Sequence, residues 1–341
     1  MTKNKKIIIS VMAVILAVAL IVGGIFGVQF YQMISSLGPV DLTYIHENHE
    51  AEGGSAVYMT TDVSPEGMLA VYEALNWSPT GRVAVKLSTG EPPNSNYLRP
   101  ELIKDVVQLV DGTIVECNTT YGGSRSETEM HYQVAEDHGF TGIADFQILD
   151  EAGSMSMPVS GGLRLKENLV GAHFANYNSC LVLSHFKGHP MGGFGGAIKN
   201  ISIGFANPEG KCLIHTAGAS RTTPWGGEQN AFLESMAEAG KSVSDYLGSG
   251  ERIVYINVMN RISVDCDCNG NPAGPDMHDI GILASTDPVA LDQACVDLIY
   301  NAPDGQSVIN RMESRNAEVV LEHGEAIGLG SRNYVLVNID N

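Results

Sequence analysis

Residues 83–117 read VAVKLSTGEPPNSNYLRPELIKDVVQLVDGTIVEC. The run Val83-Ala84-Val85-Lys86-Leu87 is short, apolar and β-branched, the pattern of a buried strand. Pro100 at a first helical position opens a helix over 100–110, with Leu102, Ile103, Val106, Val107 and Val110 on one stripe. Thr113-Ile114-Val115-Glu116-Cys117 then returns to strand. Strand, helix and strand in such short compass predict a parallel pair joined by a crossover helix. The alternation continues: strands are expected at 180–184, 253–258, 280–284 and 334–339, and helices at 127–138, 228–239 and 288–300. Asp287 as N-cap and Pro288 at N1 start the last of these. The expected fold is α/β, a mostly parallel sheet flanked by helices, over residues 55–341. Such sheets take ligands at the carboxyl ends of their strands, so the residues that follow each strand matter most.

Upstream of this body, Lys3, Lys5 and Lys6 precede an apolar, charge-free run over 7–30. As a helix that run is about 36 Å long, enough to cross a bilayer. A cleaved signal peptide has a shorter apolar region and a small-x-small site, and Gly27-Val28-Gln29-Phe30 is a poor one. Residues 1–6 are therefore expected as a cytoplasmic tail, 7–30 as a single transmembrane anchor in the lipid bilayer of the cell membrane, and 31–54 as a polar linker. The lysines place the body outside the cytoplasm.

The 341 residues carry 20 basic and 39 acidic side chains, a net charge of −19. Since the first forty contribute only three lysines, the remainder carries 17 basic against 39 acidic residues, or −22. A polyanionic body repels phosphate backbones, which argues against a nucleic-acid partner.

Four segments that follow strands stand out. They contain Gly90-Glu91-Pro92-Pro93-Asn94-Ser95-Asn96-Tyr97-Leu98-Arg99, then Cys117-Asn118-Thr119-Thr120-Tyr121-Gly122-Gly123-Ser124-Arg125, then the stretch HFKGHPMGGFGGAIKN over 185–200, and Asp265-Cys266-Asp267-Cys268. With DIGILASTDPVALDQAC over 279–295, these pieces, in this order, resemble the domain of unknown function 362 family over roughly residues 57–305, in its iron–sulfur-associated branch. That branch commonly carries a ferredoxin-like insert for two [4Fe–4S] clusters after the segment matching residues 210–215. Here the chain passes from Gly218 through Trp225 into the helix at Glu228, and no C-x-x-C-x-x-C run occurs. The resemblance implies a fold but no established reaction.

The residues themselves narrow the chemistry. Cys266 and Cys268, two apart, turn both sulfurs to one side and Asp265 and Asp267 to the other if the chain is extended. Two thiolates suit a soft transition metal, zinc or iron, with Cys117 as the third expected ligand and His185, His189 or His215 in reach. Disulfides and unligated thiols remain open, the count of six cysteines being even. Cys180 and Cys295 read as core residues. His185 and His189 are four apart, but Gly188 and Pro190 exclude a helical zinc pair, so they and Lys187 are candidate catalytic groups on a loop.

Gly192, Gly193, Gly195 and Gly196 precede a helix holding Lys199 and Asn200, an arrangement suited to an anion at a helix N-terminus. Seven of the 17 basic residues of the body (Lys86, Arg99, Arg125, Lys187, Lys199, Lys211, Arg221) lie in or beside these segments. In so acidic a chain that points to a small anionic ligand, with Lys86, Arg99, Arg125, Lys199 and Asn200 as its expected contacts. Three functions fit: a membrane-anchored metal-dependent or redox enzyme acting on a small anion, an iron–sulfur electron-transfer protein, and a non-catalytic anion-binding protein outside the cytoplasm.

Overall fold

The computed structural model describes residues 46–340; the expected tail, the anchor at 7–30 and most of the linker lie outside them. Among the described residues the first element is β1 (Glu50–Thr60), so the stretch read as linker ends inside a strand. No strand is expected anywhere over 50–60: Glu50, Ala51 and Glu52 are exposed and the pairing register shifts between Glu50 and Ser55. Then follow α1 (Pro65–Ala74), β2 (Val83–Lys86), α2 (Pro100–Leu109), β3 (Gly112–Glu116), α3 (Thr128–Asp137), β4 (Phe146–Ile148), β5 (Ser154–Pro158), β6 (Glu167–Gly171) and β7 (Ser179–His185). The second half runs β8 (Lys187–His189), β9 (Gly193–Gly195), α4 (Ala197–Ser202), α5 (Pro208–His215), α6 (Gln229–Tyr246), β10 (Ile253–Met259), β11 (Gly281–Ser285), α7 (Pro288–Asn301), α8 (Gln306–Glu313), α9 (Val319–Ala326) and β12 (Tyr334–Asn338).

Eight strands form one sheet in the order β12-β1-β11-β10-β7-β2-β3-β4. Only β11 runs against its neighbours; the other pairings are parallel. The α/β fold with a mostly parallel sheet is the one expected. Alternation along the strands fills two cores. Ala84, Val115, Val182 and Tyr255 face α4, α6 and α7, while Val85, Ile114, Leu183 and Ile256 face α1 and α2. Among the described residues no helix is long and apolar enough to cross a membrane.

The helix starts follow their sequence signals. Asp287 caps α7, its carboxylate accepting from the N–H groups of Val289 and Ala290, and Asn207 caps α5 before Pro208. The helix expected at 228–239 continues to Tyr246, because Val243 and Leu247 extend its buried stripe and Lys241 pairs with Asp245 one turn on. Helices α1, α5, α8 and α9 had no expectation attached. Asp297, on α7, receives the N–H of His49 at 2.9 Å and the hydroxyl of Tyr334 at 2.9 Å, which ties the entering chain to the sheet edge.

The order β10-β7-β2-β3 makes immediate neighbours of four strands whose carboxyl ends lead into the four unusual segments. Lys86 pairs with Val115 on one side and Val182 on the other, and His185 with Val258. The segments share one edge of the sheet.

Candidate functional site: a paired-thiol centre

After β7 the chain stays pinned to the segment following β10. The N–H of Phe186 donates to the Val258 carbonyl at 2.9 Å, and that of Gly188 to the Ser263 carbonyl at 2.8 Å. A Cβ on Gly188 would lie 2.4 Å from the Val264 oxygen, so only glycine permits this approach. The contact brings His189 beside Cys266 and Cys268: one donor atom from each of the three lies within 4.8 Å of the others.

The loop over 265–268 turns rather than extends, with the Asn269 N–H on the Cys266 carbonyl at 2.9 Å. The two sulfurs still share a side, and the N–H of Cys268 reaches the Cys266 Sγ at 3.4 Å. Asp267 points away into the protein. Its buried carboxylate receives His185 Nδ1 at 3.0 Å and Lys187 Nζ at 2.8 Å, while His185 Nε2 donates to the Asn260 carbonyl at 2.7 Å. Burial pushes the Asp267 carboxyl up, but His185 and Lys187 outweigh it and hold it at about 2. His185 and Lys187, two expected catalytic groups, thus serve as anchors for the thiol loop.

Three side chains converge on Cys266. The hydrogen bond from Cys268 acts most strongly, joined by the Lys199 ammonium and the His189 ring; together they hold the Cys266 thiol well below its ordinary value against the upward push of burial. Lys199 Nζ stands 3.9 Å from the sulfur. As the proton donor to that sulfur, Cys268 is held well above its ordinary value, with burial acting the same way.

His189 Nδ1 accepts the N–H groups of Met191 at 3.1 Å and Gly192 at 2.8 Å. Its proton therefore sits on Nε2, which leaves the ring a donor toward sulfur. Beside the thiols, the Tyr121 hydroxyl donates to His215 Nε2 at 2.8 Å, and His215 Nδ1 donates to the Lys211 carbonyl at 2.7 Å. Burial raises the Tyr121 phenol well above its ordinary value, and the charges of Cys268, Cys212 and Cys266 add to this. Burial also lowers His215 to about 3, so the pair rests neutral. His215 was weighed from the sequence as a ligand; Tyr121 was missed, for nothing near it in the chain marks it.

Several expected contacts are engaged elsewhere. Cys117 does not join the group: its thiol donates to the Phe205 carbonyl at 3.1 Å, and burial pushes it up. Lys86 is buried against Glu116 at 2.8 Å and the Leu87 carbonyl at 2.6 Å. Arg125 lies between Glu91 and Glu116, and Asn200 spends its amide on the Lys86 and Leu183 carbonyls. Arg99 donates to the Ser95 carbonyl at 2.6 Å and lies over the Tyr97 ring.

The glycine-rich turn also differs from expectation. The N–H groups of Ala197 and Ile198, which open α4, donate to the Asp292 carboxylate at 2.7 and 2.9 Å. The anion at that helix start belongs to the protein. A Cβ on Gly196 would lie 2.2 Å from Asp292 Oδ1, and one on Gly193 2.4 Å from the Ala317 Cβ, so these two glycines serve packing. Gly192 lies against His189, and Gly195 leaves room for the Lys199 and Lys187 stems.

Searches against known proteins place these residues in context. Among curated proteins nothing matches. Among solved structures, the lactate racemase apoprotein from Thermoanaerobacterium thermosaccharolyticum aligns with a TM-score of 0.41 at 12% identity, over 75% of this chain and 59% of its own. A protein of Thermotoga maritima aligns with a TM-score of 0.40 at 12% identity, over 77% of this chain and 58% of its own. The chain thus spans less than two thirds of either. The model of the domain of unknown function DUF362 matches residues 83–297, from β2 through most of α7 and across all four segments, and the chain belongs to the DUF362 family.

Proposed function

We propose that this chain is a dithiol redox enzyme acting on a small anionic substrate, with Cys266 as the reactive thiolate and Cys268 as its partner. The observation that supports it is the convergence of Cys268, His189 and Lys199 on the Cys266 sulfur. A thiolate is the nucleophilic form of cysteine, and two adjacent thiols can cycle with a disulfide. Lys187 is neutralised by Asp267, whereas Lys199 faces the sulfur, so Lys199 is the cation available to an anionic substrate. The test is alkylation of the full chain by iodoacetamide across pH. Cys266 is expected to react at a rate that stays flat below pH 7, and Cys266→Ser to abolish that phase. A rate that instead climbs tenfold per unit through pH 7, as for an ordinary thiol, refutes the proposal.

A second reading, a metal-dependent enzyme, draws on the grouping of His189, Cys266 and Cys268. Two sulfurs and an imidazole are soft donors suited to zinc or iron. The sulfurs fit such an ion. The His189 ring fits it only after the turn over 190–192 moves, because two backbone N–H groups hold Nδ1 as an acceptor. An iron–sulfur cluster is less favoured, since it takes four thiolates and the group offers two sulfurs. Elemental analysis with an absorption spectrum of anaerobically purified chain separates these: one metal per chain, lost in Cys266→Ser, supports the second reading.

The anchor at 7–30 and a body outside the cytoplasm belong to the same proposal, supported by Lys3, Lys5 and Lys6 before the apolar run. A reporter fused after Asn341 is expected to be active only outside the cytoplasm.

A further inference from the structure

We infer that Asp292 is a proton-set latch on α4: in mildly acidic solution it takes up a proton, shares it with the Asn257 amide, and holds the start of that helix more firmly than in neutral solution. The latch is separate from the thiols and stands whichever chemistry they perform. What it seats is the helix that carries Lys199.

Glu116, Asp267 and Asp292 are all buried carboxylates, but of the three only Glu116 and Asp267 have cations beside them. Lys86 and Arg125 flank Glu116, and Lys187 and His185 flank Asp267. Asp292, with no exposed surface, is met by neutral donors. Its Oδ1 accepts the Ala197 N–H at 2.7 Å and the Asn257 Nδ2 at 2.7 Å, and its Oδ2 the Ile198 N–H at 2.9 Å. Neutral dipoles return only part of the hydration that a buried charge loses, so the protonated form is favoured. Burial pushes this carboxyl up to about 6 against the three hydrogen bonds, which lower it, and among the described residues no charged group offsets that burial.

The second observation is an acceptor without a donor. Asn257 also has no exposed surface, and its Oδ1 has no hydrogen-bond partner. While the carboxyl is ionised, Asn257 must turn its Nδ2 to it, since two acceptors cannot face each other; the same nitrogen reaches the Cys295 Sγ at 3.5 Å. The amide is free to turn over, because its Oδ1 holds no bond that turning would break. Once Asp292 is protonated, the turned amide presents that oxygen to the carboxyl O–H, at the expense of the long contact to sulfur. The Ala197 and Ile198 N–H groups keep their carboxyl oxygens throughout.

The groups that face Asp292 do not titrate in that range. From β10 comes Asn257, which is neutral. From α4 come backbone N–H groups, and the one charged side chain of that helix, Lys199, stands 3.9 Å from the Cys266 sulfur. On α7 itself, burial holds the Cys295 thiol well above its ordinary value, and Asp297 is tied to His49 and Tyr334. Linkage then fixes the sign. The seated carboxyl titrates at about 6 and a released one at an ordinary 3.8. A raised value means that the added hold is complete below about pH 4 and is lost as pH rises through about 6. Between pH 7.5 and pH 5 the ratio of seated to released forms rises about tenfold.

The test is amide hydrogen exchange of the full chain from pH 7.5 to pH 5, corrected for the intrinsic effect of pH and read on the peptide over 196–203. Wild type is expected to gain about tenfold in protection at pH 5, with a midpoint at about 6. Asp292→Asn, which cannot titrate, is expected to give a flat profile. Infrared difference spectra of wild type need no variant: the carbonyl band of a buried, protonated carboxyl is expected to appear with the same midpoint. Wild-type protection that stays flat or falls toward pH 5 overturns the inference, because an ordinary ionised cap weakens on acidification. A gain that survives Asp292→Asn, or the absence of that band, overturns it as well.

Discussion

Replacing Asp267 by Asn tests whether the thiol loop is held by charge. In the native protein this carboxylate, 2% exposed, lies 2.8 Å from Lys187 Nζ and 3.0 Å from His185 Nδ1. The amide keeps one acceptor but leaves the Lys187 charge buried without a counter-ion, a defect that costs about 3–5 kcal/mol. Proton linkage gives a second magnitude. The carboxyl is held at about 2 against an ordinary 3.8, a depressed value, so its contribution is present above pH 4 and lost as pH falls toward 2. The difference of roughly 1.8 units is worth about 2 kcal/mol at pH 7 and about 1 kcal/mol by pH 3. Urea unfolding of wild type and Asp267→Asn at pH 7 and pH 3 reads both. The variant is expected to lose about 3 kcal/mol or more at pH 7, with the gap narrowing by about 1 kcal/mol at pH 3. A loss under about 1 kcal/mol, or a gap that ignores pH, refutes the anchoring role.

Other substitutions probe different parts of the argument. Gly196→Ala drives a methyl into the Asp292 carboxylate and breaks the two bonds that start α4; a loss of about 2–4 kcal/mol in urea unfolding is expected. Lys86→Met removes the nearest cation from the buried Glu116 carboxylate, which burial raises but Lys86, His131 and Arg125 hold at about 2, and leaves Arg125 as its counter-ion; about 2–3 kcal/mol should be lost, as thermal or urea unfolding will show. Cys117→Ala lies outside the thiol centre and should leave the alkylation rate of Cys266 within about twofold of wild type, as followed by mass spectrometry.

The sheet was legible because its strands are buried on both faces and read as unbroken apolar runs, and because Pro100 and Pro288 mark helix starts. Strand β1 was not, since its first residues, 50–53, are exposed and carry no alternation. The thiol pair was legible from its spacing, and its neighbours only in part. Distance along the chain is the reason: Asp292, 95 residues from the helix it caps, competes for the N–H groups that a glycine-rich turn advertises to an external anion. Basic residues are likewise ambiguous, because a lysine that binds substrate and one that neutralises Glu116 look alike until the partner is known. Cys117 ends its strand as a ligand would, yet it faces the Phe205 carbonyl.

One helix connects two of these features. Asp292 on α7 grips the start of α4, which carries Lys199, and Asp297, one turn or so further along the same helix, grips the backbone of His49 where the chain enters the domain. A single helix therefore fixes both the backbone at His49 and the first turn that carries Lys199, so a substitution that shifts α7 disturbs two distant places at once.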